Sequence, residues 1–213
     1  MKKLNWGMLG TGWIAHEMGE ALQRVNGEIY ACCARSIESA EKYAKEFGVK
    51  HVYGSVDEML ADENIDIGVY ATSFARFFMK SKPDTILTTA NYFETGVDET
   101  SGIILRNPDG QMAVMALTMR AKQPKRGVVA CEDGFIEIYN YPRGDKATIT
   151  YTSDGHTETI EAGETAYALD YEVEDMQNYV LNGGSEEYLT YSRDVMSVLT
   201  DIRKQWGMIY PFE

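Results

Sequence analysis

Residues Gly10, Thr11, Gly12, Trp13, Ile14 and Ala15 form a G-x-G-x-x-A turn directly behind a short apolar stretch, residues 4–9. Such a turn can hold a pyrophosphate. The first glycine allows the tight bend, the second lets an anion approach the backbone without meeting a Cβ, and the small third residue lets a helix lie close on a strand. Free N–H groups at the helix start then face the negative charge. The alternative for the same residues is a plain strand-to-helix turn.

The next chemically informative triplet is Ala34, Arg35 and Ser36. Dinucleotide folds that prefer NAD place an Asp or Glu at the end of the second strand, where it holds the ribose 2′-OH. Alanine at this position removes the repulsion against a 2′-phosphate. A neighbouring guanidinium can bind that phosphate with two N–H groups. NADP is therefore expected over NAD, with Arg35 and Ser36 at the 2′-phosphate. Arg35 also reads as a solvated residue ahead of a Ser36 helix cap.

Other reactive residue types carry less. His16, His51 and His156 lack the mutual spacing of a metal site, so no metal is expected. His16 and His156 read as solvated. Cys32, Cys33 and Cys131 suit neither a disulfide framework nor zinc. The first two read as buried thiols in a strand. No Ser-His-Asp order or nucleophile elbow is present.

The elements needed to position these residues follow from periodicity and punctuation. Strands are expected over 4–9 and 28–34, with helices over 14–24 and from Ser36 to Gly48. Ser55-Val56-Asp57-Glu58 is a capping box for a short helix through Leu60. Residues 65–72 read as a third strand, which completes a βαβαβ half of a dinucleotide fold. After Pro83 the pattern changes to strands over 85–93, 100–106, 111–119, 128–131, 135–139, 147–152 and 157–162. Turns mark their junctions, Asn107-Pro108-Asp109-Gly110 among them. Helices over 171–181 and 193–206 close the chain. The last puts Val195, Val198, Leu199, Ile202 and Trp206 on one face. The expected fold is α/β, a half Rossmann unit over 1–72, followed by an α+β domain over 73–213 with a mostly antiparallel sheet.

Composition bounds the partners. The chain has 213 residues and a formal net charge of −13. That charge argues against nucleic acid and against anionic membrane surfaces, both of which need basic patches. No apolar run approaches the roughly 20 residues of a membrane span, and no signal peptide is expected ahead of the first strand. Reduced cysteines point to the cytoplasm.

Taken together, WGMLGTGWIA, ACCARSIESAEKYAKEFGV and VYGSVDEMLADENIDI resemble the Gfo/Idh/MocA oxidoreductase family, in its dihydrodiol-dehydrogenase-like branch. TGVDETSGIILRNPDGQMAVM, EDGFIEI and IRKQWGMIYP resemble that branch's C-terminal domain. The resemblance implies an NAD(P)-dependent oxidoreductase acting on a sugar-like or diol CH–OH group. It also shows what is missing. The second half of the Rossmann domain has no counterpart, nor does the strand ending in the family's catalytic Glu-Lys-Pro. Lys82-Pro83 follows a segment that reads as a helix and does not replace it.

The segment 64–72 resembles two distant places in relatives: a Rossmann strand ending in Ala-Thr, and an Asp-x-Gly-x-Tyr motif opening a helix. An internal deletion with its join there accounts for both. On the first match Ala71 and Thr72 would border the cofactor. On the second, Asp66 and Tyr70 would be the catalytic pair, unless 65–72 is a strand in which they are structural. A tyrosine in that role needs a lysine cation beside it, and that lysine is absent. Two outcomes remain: an oxidoreductase with little or no turnover, or a non-catalytic dinucleotide-binding or dimerisation module. A homodimer is expected, because three Rossmann strands leave the first strand as an open edge.

Overall fold

The computed structural model describes residues 4–54, 67–94 and 96–208. Two compact units divide the chain: Met1–Asn64 with Gly163–Gly184, and Ile65–Ala162 with Ser185–Glu213. Among the described residues, no helix is long and apolar enough to cross a membrane.

The first unit holds β1 (Asn5–Leu9), α1 (Trp13–Arg24), β2 (Glu28–Cys33), α2 (Ile37–Phe47) and β3 (His51–Tyr53). The three strands are parallel in the order β1-β2-β3, so among the described residues β1 pairs on one side only. Ser36 caps α2, its Oγ accepting the Ser39 N–H at 3.2 Å, and Gly48 ends the helix at φ +71°. Cys32 and Cys33 are buried in β2, and burial pushes the Cys32 thiol pKa up. Tyr43 is buried between the helices and donates its hydroxyl to the Ala15 carbonyl at 2.8 Å. The expected capping-box helix from Ser55 lies outside the described residues.

The third strand differs from expectation. It is His51–Tyr53, whereas the segment expected as a strand over 65–72 begins a helix, α3 (Ile67–Phe78). Burial explains why. Gly68, Ala71, Thr72, Ala75, Arg76 and Met79 are buried, a stripe at three- and four-residue steps that a strand cannot present on one face.

A later helix, α4 (Ala168–Asn182), also belongs to the first unit and adds Leu169 and Val173 to its core. Arg24 donates from Nε and Nη2 to both carboxylate oxygens of Asp170, at 2.6 to 3.1 Å. That hydrogen bonding holds the Asp170 pKa below its ordinary value. The folded carboxyl is more acidic than the unfolded one, so the pair stabilises above about pH 4 and the gain is lost as pH falls through the folded value. Asp170→Asn is therefore expected to lower the urea midpoint at pH 7 and to lower it less as the pH falls below about 4. An equal loss across that range would contradict this.

The second unit contains two antiparallel sheets. β4 (Thr85–Tyr92), β5 (Asp98–Arg106) and β6 (Met112–Thr118) form one, in the order β4-β5-β6. β7 (Arg126–Ala130), β8 (Gly134–Tyr139), β9 (Lys146–Tyr151) and β10 (Thr157–Glu161) form the other, in the order β10-β9-β8-β7. α5 (Glu187–Trp206) starts six residues earlier than its apolar periodicity indicates. Val198 and Ile202 of α5 pack with Ala71 and Ala75 of α3, and with Met79 just beyond it, over Ile103 and Leu105 of β5.

Candidate functional site

In the first unit, Leu9 at the end of β1 is level with Cys33 at the end of β2. Gly10 turns the chain at φ +80°, a left-handed conformation that glycine adopts at no steric cost. Its N–H donates to the Cys33 carbonyl at 2.9 Å, so the two strand-end loops leave the sheet side by side. This contact brings the turn at Gly10–Gly12 next to Ala34, Arg35 and Ser36.

Gly12 is the N-cap of α1 and has no side chain to cap it, which leaves the first N–H groups of the helix open. A Cβ built on Gly12 would meet nothing within 4 Å. Trp13 and Ile14 are exposed beside it, at 73% and 45%, while Ala15 is buried under the helix. Arg35 is exposed and makes no ion pair among the described residues. Ser36 is engaged as the α2 cap and donates its hydroxyl to Ser39 Oγ at 3.0 Å. The arrangement is an open, electropositive helix start with a cationic side chain at the neighbouring strand end. It fits a dinucleotide's pyrophosphate and a phosphate on its ribose.

His16, expected to be solvated, is 35% exposed and also makes specific contacts. Its Nδ1 lies 2.9 Å from the Gly12 carbonyl, and its Nε2 lies 3.3 Å from Glu46 Oε2. The ring also stands edge-on to Tyr43 and Phe47. His16 therefore ties the glycine turn to α2. Its position one turn beyond Gly12 on the same helix was the only signal available in the sequence.

The remaining candidates lie in the second unit. Tyr70 stands on α3 and is 41% exposed, and Asp66 lies outside the described residues. Ala71 and Thr72 were expected at the end of a strand. They are instead buried in α3, at 5% and 1%, and offer no surface to a ligand there. Lys82 donates to Ser197 Oγ at 2.7 Å, in the segment after α3 rather than at the end of a strand.

A βαβαβ unit with a glycine turn at the start of its first helix, joined to antiparallel sheets backed by helices, defines a dinucleotide-binding oxidoreductase fold. Comparison with known proteins agrees. Residues 4–80 match the oxidoreductase family with an NAD-binding Rossmann fold, and residues 64–137 match the Gfo/Idh/MocA C-terminal domain. The chain belongs to the Gfo/Idh/MocA oxidoreductase family.

Within the family it sits with the dihydrodiol dehydrogenases. It is 26% identical to trans-1,2-dihydrobenzene-1,2-diol dehydrogenase of Xenopus laevis over 69% of this chain and 47% of that one. It is also 26% identical to the Mus musculus protein of the same name, over 61% and 36%. The chain thus spans about half the length, or less, of these relatives. Among solved structures, an oxidoreductase from Agrobacterium radiobacter superposes with a TM-score of 0.73 at 10% identity, covering 97% of each chain. A 3-ketoreductase from Actinomadura kijaniata in complex with NADP and TDP-benzene superposes at 0.69 with 13% identity, covering 91% of this chain and 94% of that one. These similarities establish a shared fold. The overlap of the two family matches at residues 64–80 coincides with the segment that resembles two places in relatives.

Proposed function

We propose that this chain binds NADP at the start of α1 and derives from an oxidoreductase of sugar-like or diol CH–OH groups. The observation that carries this reading is the open glycine corner, where Gly10 to Ile14 present backbone N–H groups and no Cβ obstructs Gly12. Arg35, with no carboxylate beside it, supplies the preference for the 2′-phosphate. When bound, the nicotinamide supplies hydride acceptance or donation at a carbinol carbon. Tyr70, with Asp66 four residues earlier, is the proton-handling group the chain offers. The chain lacks the Glu-Lys-Pro lysine that the family pairs with this group, so turnover is weak or absent. The shortened length supports an internal deletion joined at residues 64–72, and the free edge of β1 supports a homodimer. The burial of Cys32 and Cys33 inside β2 supports residence in the cytoplasm.

Fluorescence titration of NADPH and NADH, followed by a hydride-transfer assay on sugars, diols and diketones, tests the reading. NADPH should bind more tightly than NADH. Arg35→Ala should weaken NADPH by about ten-fold, the loss of one charge-assisted phosphate contact, and leave NADH unaffected. Any measured turnover should fall on Tyr70→Phe. Binding without turnover favours the module, and absence of binding by both dinucleotides refutes the cofactor assignment.

A further inference from the structure

The second unit contains a groove of about 540 Å³ between its two sheets, floored by Phe74 and Phe78 of α3 and by Met79 just beyond it. Residues 111–117 and 126–130 line it without interruption. A strand that offers a face to a cavity contributes every second residue, because side chains alternate. Unbroken runs mean that β6 and β7 offer their edges.

Hydrogen-bond alternation identifies the groups on those edges. The Met119 N–H donates to Glu99 O and the Asn107 N–H to Gln111 O, so odd-numbered residues of β6 bond to β5. The backbone groups of Met112, Val114 and Ala116 therefore point away from β5. The Asn140 N–H donates to Lys125 O and the Cys131 N–H to Gly134 O, so odd-numbered residues of β7 bond to β8. The backbone groups of Arg126, Val128 and Ala130 point away from β8. Among the described residues neither row has a strand partner, since β6 and β7 each end a sheet. Gly127 lets the Phe74 ring lie against the β7 backbone, which closes the floor.

We propose that this groove accepts an extended polypeptide segment from another chain, inserted as a strand between β6 and β7. Two rows of unpaired donors and acceptors over an apolar floor match a strand with apolar residues at alternate positions. A small apolar molecule would leave both rows unsatisfied. Charge selects one end. The loop joining β6 to β7 carries Arg120, Lys122 and Lys125 and no acid, in a chain of net charge −13. Arg120 is paired with Glu99 at 2.7 Å, whereas Lys122 and Lys125 are exposed and unpaired among the described residues. The incoming segment is therefore acidic where it meets this loop. The inference is independent of the cofactor assignment, which concerns the first unit.

The test uses the full chain and a fluorescein-labelled octapeptide alternating valine and threonine and ending in two aspartates, followed by anisotropy. Saturable binding is expected. N-methylation of one central amide should weaken it about ten-fold, because strand pairing uses that N–H. A lysine-tailed peptide should bind less well, and the Lys122→Glu/Lys125→Glu variant should reverse the order of the two tails. Both substitutions are on exposed residues, and far-UV circular dichroism verifies folding. No saturable binding, equal binding of the N-methylated peptide, or an unchanged order of tails would each overturn the proposal. So would a dimer, seen by sedimentation, that the peptide dissociates, because the groove would then hold a second copy.

Discussion

Gly12→Val is expected to remove NADPH binding while leaving the fold intact. The backbone at Gly12 has φ −80° and ψ −172°, an extended conformation that any residue adopts, and an added Cβ meets no protein atom within 4 Å. The folded protein therefore loses little. Valine is a poorer N-cap than glycine by less than about 1 kcal/mol, which moves the thermal midpoint by under about 4 °C. The ligand loses much more. An isopropyl group at the helix start displaces the pyrophosphate from the open N–H groups of α1. Two lost hydrogen bonds to a charged group amount to about 3 kcal/mol, or roughly 100-fold in Kd. Titration of NADPH against wild type and variant, with a melting curve on each, separates the two effects. Undiminished binding in a folded variant would place the cofactor elsewhere.

Asp194→Ala should be the most destabilising single change in the second unit. Arg76 is nearly buried, with 7% of its side chain exposed, and Asp194 retains 16%. The Arg76 Nε donates to Asp194 Oδ2 at 2.7 Å, Nη1 donates to the Met79 carbonyl at 2.8 Å, and the guanidinium lies 4.6 Å from the centre of the Tyr191 ring. Removing the carboxylate strands a buried cation between α3 and α5, at a cost of about 3–5 kcal/mol. Replacing both partners, Arg76→Met with Asp194→Leu, should recover most of that loss, because no buried charge is left without its partner. Urea unfolding of the three variants decides the matter. A loss under about 1 kcal/mol for Asp194→Ala would mean that water reaches Arg76.

The glycine corner, the Ser36 cap, the Gly48 stop and most of the antiparallel strands were legible in the sequence. Each depends on neighbours within a few residues: a turn that needs glycine, an oxygen that reaches an N–H three residues on, a period of two. Periodicity alone read the segment 65–72 as a strand, and only the family resemblance offered a helix opening there. A short apolar run satisfies both periods, and only the continuation through Phe78, packed against β5 and α5, selects the helical one.

The sequence by itself determined the local chemistry of the first unit: a glycine turn opening a helix, no acid at the end of β2, and an arginine beside it. Tertiary structure alone decided that His16 pins the turn and that α4, distant in sequence, completes the first core through Arg24 and Asp170. It also decided that β6 and β7 face each other across an open groove. Local signals report backbone preference and which face of an element is apolar, but not which surface will cover that face. That depends on contacts between residues far apart in the chain, whose energies exist only once the elements have packed.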